Sequence, residues 1–282
     1  MTVRALTDAL ARRLSVAGVP DADTDARLIV EHVLGVGSHA ELLCIPDVPP
    51  DAMGRAEELC ARRERGEPLQ YLFGSWSFMG REYALGKGVL IPRDDTQVVV
   101  TAALQQIERI AHPRILDLCA GSGIIGITLG LSRPDADVTA VEKSGDALRY
   151  LLQNAASLCP DITIVHDALE QYADSVQDGT IDLVIANPPY IPRGELDSLQ
   201  REIGYEPRMA LDGGESGTDL LYAIIERYTA KLRDGGVIAL EIGDGQAAAV
   251  GAMLTAAGYT EISEYRDIGG NVRAVTAQKF RK

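Results

Sequence analysis

The stretch Ile115–Gly126 reads ILDLCAGSGIIG. A short apolar run, Ile115 to Leu118, passes into small residues and then into a second apolar segment. Gly121, Gly123 and Gly126 satisfy the spacing G-x-G-x-x-G, which is informative where a strand hands over to a helix. Glu142 ends the next apolar run, Val138–Glu142, roughly 20 residues on, where a carboxylate can accept both hydroxyls of a ribose. Physically, these residues describe a nucleoside-binding site at the C-terminal edge of a sheet. The glycines let a ligand approach the backbone, and the acid rejects a phosphorylated ribose. The bland alternative is a glycine turn that serves only close packing of helix on strand.

Working outward, apolar runs that read as strands are Ile115–Leu118, Val138–Glu142, Ile162–Val165, Leu183–Ala186 and Val237–Ile242. Helical periodicity covers Ser144–Leu158, Leu220–Leu232 and Gln246–Ala257. Alternation of this kind predicts an α/β fold with a doubly wound, mainly parallel sheet. The tail EISEYRDIGGNVRAVTAQ (261–278) reads as two strands about Gly269-Gly270-Asn271, an antiparallel pair closing the sheet edge. Residues 1–68 read as a small helical domain, with Leu6, Leu10 and Leu14 at helical spacing and a third helix over Asp51–Arg65. Residues 69–92 alternate aromatics with Gly74, Gly80, Gly86 and Gly88, which predicts a hairpin linker, with Trp76 and Phe78 packing it onto the helical domain. Residues 93–282 then form the sheet domain.

The chain has 282 residues, 46% of them hydrophobic, and a net charge of −14. Such acidity disfavours general nucleic-acid binding, which wants positive potential. Cys44, Cys60, Cys119 and Cys159 show no CxxC spacing, so neither a metal cluster nor a disulfide framework is expected, and a reducing cytosol fits. The N-terminal segment mixes Arg4, Asp8, Arg12 and Arg13 into its apolar pattern, unlike a signal peptide, and no apolar run is long enough to span a membrane. A soluble, cytoplasmic protein is the expectation. His32 and His39 read as surface or helix-packing residues.

The glycine pattern does not by itself separate NAD from S-adenosylmethionine. Asp117 tilts the balance: its carboxylate can face a ligand's ammonium directly or through water, whereas it would repel a pyrophosphate. Asp167, after the third strand of the sheet, can accept from an adenine amino group, although a surface turn explains it nearly as well. The fourth strand ends in Asn187-Pro188-Pro189-Tyr190. The Asn187 side-chain carbonyl and the Pro188 backbone carbonyl can grip the two N–H donors of a planar amide or exocyclic amine. The prolines fix the backbone, and Tyr190 offers a flat face for stacking. Holding both N–H groups aims a weakly nucleophilic lone pair at a sulfonium methyl, and no metal is required. The bland reading is a Pro-Pro turn with Asn187 as a cap and Tyr190 as packing.

With these segments the chain resembles the class I S-adenosylmethionine-dependent methyltransferases and, more narrowly, the glutamine methyltransferases that modify peptide-chain release factors. The resemblance covers Gly66–Tyr71, Val89–Arg93, Asp117–Gly123, Asn187–Pro192, Glu206–Gly214 and Leu240–Gly243. It implies a Rossmann-like methyltransferase sheet, a helical domain that helps dock the factor, and a Gly-Gly-Gln glutamine as substrate. It further implies that Asn187, Pro188, Pro189 and Tyr190 hold that glutamine. Asp117, Gly121, Gly123, Glu142, Asp167 and Asn187 would hold S-adenosylmethionine. Departures from the family pattern are Cys119 in place of glycine, Glu142 in place of aspartate, Asp94-Asp95-Thr96 in place of Pro-Glu-Thr, and Gly269–Arg273 in place of Ala-Gly-Arg-Asp-Arg.

Rival readings keep the chemistry and change the substrate, to a ribosomal-protein glutamine or to DNA adenine. The second suffers from the acidic balance. An NAD-dependent oxidoreductase leaves Asn-Pro-Pro-Tyr unexplained, and a non-enzymatic adaptor leaves the same tetrapeptide idle. Tyr205, Glu206 and Arg208 sit in a loop after that motif, where substrate contact and a purely structural role are equally open.

Overall fold

The computed structural model describes residues 1–281 and divides into two compact units. One comprises Met1–Ser75 together with Gln200–Tyr205, the other Trp76–Leu199 and Glu206 onward.

The first unit is helical: α1 (Val3–Val16), α2 (Ala22–Leu34), α3 (His39–Leu43), α4 (Pro50–Glu64) and α5 (Leu69–Phe73). Thr2 starts α1 by accepting from the Ala5 N–H, satisfying one of the donors every helix start leaves free. Leu6, Leu10 and Leu14 are fully buried against Ala26, Ile29 and Val30 of α2 and Ala56 and Cys60 of α4. His32 stacks on Phe73 with ring centroids 4.2 Å apart. Arg63 is buried, donates to Asp25 at 2.6 Å and pairs with Glu202. Tyr205 donates its hydroxyl to the Arg65 carbonyl at 3.0 Å. These bonds attach Gln200–Tyr205 to helices far upstream in sequence.

From Trp76 onward the second unit opens with a two-stranded hairpin, β1 (Ser75–Phe78, its first residue the last of the first unit) and β2 (Arg81–Ala84). The hairpin is thus shorter than the sequence suggests, because Leu69–Phe73 is helical and Gly74 ends that helix in the left-handed region. Phe78 also differs from expectation. It meets Tyr83 edge-to-face and joins the core of the second unit rather than packing onto the helical domain.

There follow α6 (Thr96–Gln106), β3 (Arg114–Leu118), α7 (Ile124–Ser132), β4 (Asp137–Glu142), α8 (Gly145–Leu158), β5 (Thr163–His166), α9 (Leu169–Ser175) and β6 (Ile181–Ala186). After a long loop come α10 (Asp219–Tyr228), β7 (Leu232–Glu241), α11 (Ala247–Ala256), β8 (Tyr259–Arg266) and β9 (Val272–Lys279). The seven strands of the sheet lie in the order β5-β4-β3-β6-β7-β9-β8, parallel from β5 to β7 and antiparallel at β9 and β8. The doubly wound sheet and its antiparallel tail are as the sequence implies. β9 lies inside, against β7, and β8 forms the edge, which matches burial of Ala274, Val275 and Ala277 beside a largely exposed β8.

Alternate residues of the central strands feed two cores. Ile115, Leu183 and Ile185 pack with Val99, Ile127 and Leu151 from α6, α7 and α8. Leu116, Leu118 and Val184 pack with Leu169, Ile224 and Val250 from α9, α10 and α11. The chain winds outward from β3 to β5 and returns to lay β6 against β3, with Leu118 paired to Ala186. That reversal is the topological switch point, where open α/β sheets leave a crevice at the strand C-termini. The glycine loop and Asn187 therefore leave the sheet from neighbouring, register-matched positions.

Candidate active site

A cleft opens at that switch point. Its walls include Gly121 and Ser122 from the loop after β3, Glu142 at the end of β4, and Asp167 and Leu169 after β5. Asn187 and Pro189 after β6, Thr96 at the start of α6, and Pro207 and Met209 from the long loop complete the part that concerns the chemistry.

Glu142 is buried and aimed. Its Oε2 accepts from Gly121 N at 2.7 Å and its Oε1 from Ser144 N at 2.6 Å. Burial raises its pKa, with the backbone donors at Ser144 and Gly121 acting against the rise. Each carboxylate oxygen has a second acceptor position, so the group keeps capacity for a diol on the pocket side. Asp167 accepts from Ala168 N at 2.8 Å through Oδ1, and its own N–H bonds the Glu142 carbonyl at 3.1 Å. That linkage ties the β5 exit to the β4 exit.

The glycine loop is shaped by packing as well as by ligand access. Gly123 has φ +87°, and a Cβ there would come within 2.5 Å of Leu151 Cδ1. At Gly126 a Cβ would lie 2.9 Å from Asp117 Oδ2, the atom that accepts from Gly126 N at 2.8 Å.

Asp117 lies elsewhere than the direct-contact reading puts it. It is fully buried behind the loop and is not part of the cleft wall. Side chains of a strand alternate between faces, and Asp117 shares the face of Ile115, under α7. Burial pushes its carboxyl up to about 8 against the pull of the Gly126 bond, and Oδ1 has no partner. Gly121, Glu142, Asp167, Asn187 and Pro189 meet on the wall, and Gly123, Pro188 and Tyr190 are next to wall residues in the chain.

The tetrapeptide is braced from several sides. Asn187 Nδ2 donates to the Thr96 hydroxyl at 3.2 Å, and Tyr190 OH donates to Glu241 Oε1 at 3.4 Å. Gln246 donates to the Tyr190 carbonyl at 2.9 Å. Gly213 N bonds the Ile191 carbonyl at 2.8 Å, which draws the long loop against the motif. Glu206 is part of that bracing. It accepts from Ile91 N at 2.9 Å and pairs with Arg93, so its role is structural, while Arg208 stays exposed beside Asp197.

Thr96 and Glu241 are the members that the sequence reading did not single out. Their signal was faint: a threonine after two aspartates, and an acid ending a strand in Leu240–Gly243. Among the described residues no group of three or more His, Cys, Asp or Glu could hold a metal.

A seven-stranded sheet of this order, with a glycine loop, a strand-end acid and an Asn-Pro-Pro-Tyr exit around one crevice, defines a Rossmann-like methyltransferase. Comparison with known proteins narrows the class. Residues 5–74 match a family described as the PrmC N-terminal domain, and residues 93–210 match one described as conserved hypothetical protein 95. The release factor glutamine methyltransferase of Streptomyces coelicolor is 37% identical over 95% of each chain. That of Mycolicibacterium smegmatis is 37% identical over 99% of this chain and 98% of the other. That of Bordetella pertussis is 39% identical over 87% of this chain and 91% of the other. Among solved structures, the catalytic domain of hMettl16 superposes with a TM-score of 0.58 at 12% identity, covering 80% of this chain and 91% of that one, a likeness of fold. The chain belongs to the release factor glutamine methyltransferase family.

Proposed function

We propose that the protein transfers a methyl group from S-adenosylmethionine to the side-chain amide nitrogen of the glutamine in the Gly-Gly-Gln motif of peptide-chain release factors. The observation that carries this reading is the Asn187 amide, held by Thr96 on the same wall as Glu142.

The residues fit the cofactor. Glu142 presents an oriented carboxylate where a ribose diol would lie, and Asp167 stands beside it at the next strand end. Bound there, S-adenosylmethionine supplies an electrophilic sulfonium methyl. Asn187 Oδ1 and the Pro188 carbonyl accept the two N–H groups of the glutamine amide, and Pro189 and Tyr190 confine its plane. Orientation accounts for most of the rate, since a correctly held pair avoids the entropic cost of bimolecular encounter. As positive charge grows on nitrogen the two acceptors interact more strongly, which favours the transition state over the ground state. The helical domain helps dock the factor, and the reaction takes place in the cytoplasm. Neither nucleic acid nor membrane takes part in this reading; among the described residues no helix is long and apolar enough to cross a membrane.

The test is methyl transfer from labelled S-adenosylmethionine to purified release factors, with ribosomal protein and naked DNA in parallel and mass spectrometry to locate the label. One methyl on the Gly-Gly-Gln glutamine is expected, absent in Asn187→Ala, while that variant still binds cofactor. Label on ribosomal protein or DNA instead would overturn the substrate. Glu142→Ala is expected to weaken cofactor binding at least tenfold, the loss of roughly 1.4 kcal/mol or more; unchanged affinity by calorimetry would remove that assignment.

A further inference from the structure

The side chain of Asn154, on α8, is 2% exposed and sits beside Leu151 and Ala155, which pack into the core with Ile127. Burying an amide is unfavourable unless its polar atoms are matched, and here they are. Oδ1 accepts from Ala84 N at 2.7 Å, while Nδ2 donates to the Ala84 carbonyl at 3.0 Å and to the Ser122 carbonyl at 2.9 Å. One N–H on one side and two carbonyls on the other admit a single placement of oxygen and nitrogen.

The amide joins two stretches of the cleft wall. Ser122 belongs to the glycine loop, in a turn closed by Gly123 N bonding the Ala120 carbonyl at 2.8 Å. The Ser122 carbonyl and the Gly123 N–H share one rigid peptide unit, so that unit is held at both ends, and Gly121 and Ser122 face the cleft. Ala84 ends β2 and begins a strap that runs to Gly88, Val89 and Leu90, which also line the cleft. The strap lies along α8. Arg149 Nη2 donates to the Lys87 carbonyl at 2.8 Å. A Cβ at Gly86 would come within 2.4 Å of the Tyr150 hydroxyl, and one at Gly88 within 2.8 Å of Asp146 Cβ. Asp146, Tyr150 and Asn154 are four residues apart and share one face of the helix. They meet Gly88, Gly86 and Ala84 in that order, so strap and helix run antiparallel. Strap and glycine loop adjoin as well, since a Cβ at Gly121 would lie 3.9 Å from Val89 Cγ2.

We propose that Asn154 is a positioning residue of the cofactor pocket: its one amide clamps the strap of residues 84–90 to the glycine loop and so fixes the spacing of the two walls between which S-adenosylmethionine binds. A ligand that needs both walls in place binds with an affinity reduced by the fraction of molecules in which they are, and the clamp keeps that fraction near one. Aspartate has the shape of asparagine but, ionised, no donor. Asn154→Asp therefore sets a carboxylate against the Ala84 and Ser122 carbonyls and drives strap and loop apart. Protonated, the same side chain regains one O–H for one of the two carbonyls while still accepting from Ala84 N. Burial raises the pKa of such a carboxyl, which brings that recovery into an accessible range.

The inference rests on the cofactor reading given above, and the experiment keeps the two apart. Binding of S-adenosylmethionine to the full chain is measured by calorimetry for the wild type, Asn154→Asp and Asn154→Ser, well below each melting temperature. At about pH 8 the Kd of Asn154→Asp should rise roughly tenfold or more, and the gap from wild type should narrow as pH falls to about 5. With release factor as substrate, the loss should appear in the KM for cofactor more than in kcat, because Asn187 is braced separately by Thr96. A merely structural asparagine would lower the melting temperature and leave the Kd of the folded chain alone. Wild-type Kd in folded Asn154→Asp at about pH 8 overturns the proposal, as does a loss that does not respond to pH. If Asn154→Asp does not fold, Asn154→Ser decides: its hydroxyl is too short to span strap and loop, and wild-type Kd there overturns the proposal. A wild-type chain that binds cofactor but methylates no release factor fails the functional reading alone, and the clamp is still judged by calorimetry. A wild-type chain that binds no S-adenosylmethionine overturns both.

Discussion

Cys119 has φ +59° at the start of the glycine loop. The left-handed region costs an L side chain on the order of 1–2 kcal/mol, a penalty glycine escapes. Relief of that strain in Cys119→Gly is offset by the extra freedom of glycine in the unfolded chain, so stability should change by less than about 1 kcal/mol. A β-branched residue cannot use the same compensation, and Cys119→Val should lose about 1–3 kcal/mol. Denaturant melts of the two variants test this, and equal stability of both would show that the loop is not strained. Burial and the nearby Glu142 push the Cys119 thiol well above its usual range, and burial lifts Cys60 to about 11. Thiolates are the reactive form, so alkylation at neutral pH should mark exposed Cys44 first, which peptide mapping would show.

At the scale of elements, the loop between β3 and α7 is held by one acid. Asp117 Oδ2 receives the Gly126 N–H inside α7, and a methyl at Gly126 would lie 2.9 Å from that oxygen. Gly126→Ala must therefore shift helix against strand, and we expect a loss of about 1–3 kcal/mol together with weaker cofactor binding. Unchanged cofactor affinity in a destabilised variant would separate the packing role of Gly126 from the site. The strands around this loop were legible because β-branched runs between breakers leave few alternatives: β3, β4 and β6 lie within two residues of where their apolar runs place them. The weak places were different in kind. Leu69–Phe73 alternates like a strand yet closes as a helix on Gly74, and the helix over Asp219–Tyr228 stops four residues before the apolar run does. There Leu232 already belongs to β7, paired with Ile181, so sheet pairing overrides local periodicity.

At the scale of the whole molecule, its buried acids give stability a particular pH dependence. Asp117 and Glu241 are raised to about 8 and about 7 from ordinary values of 3.8 and 4.5, chiefly by burial. Between the unfolded and folded values the native state binds more protons, so stability falls as pH rises through that window and levels off above it. Burial likewise raises Asp25, Glu142 and Glu206. The unliganded protein should thus be more stable near pH 5 than near pH 8. Asp117→Asn keeps the acceptor for Gly126 and removes the buried charge; at pH 8 it should exceed the wild type by on the order of 1 kcal/mol or more, with a flatter profile. A wild-type profile that rises from pH 5 to 8 would refute this account. The first unit depends on one cation in a comparable way. Arg63 joins Asp25 to Glu202, 139 residues downstream, and Arg63→Ala should cost about 3–5 kcal/mol by leaving Asp25 buried without its partner.

The sequence by itself determined the α/β alternation, the glycine loop, the strand-end acid and the Asn-Pro-Pro-Tyr exit. Each is a local pattern whose meaning is set by backbone sterics and side-chain chemistry within a few residues. Only the tertiary structure decided that Asp117 turns beneath α7 instead of into the cleft, because a strand's pleat assigns alternate residues to opposite faces and helix packing chooses between them. It alone brought Thr96 from α6 to the Asn187 amide and Glu241 from β7 to the Tyr190 hydroxyl, because only the packing of α6 and β7 beside the β6 exit sets residues so far apart in sequence within hydrogen-bond reach.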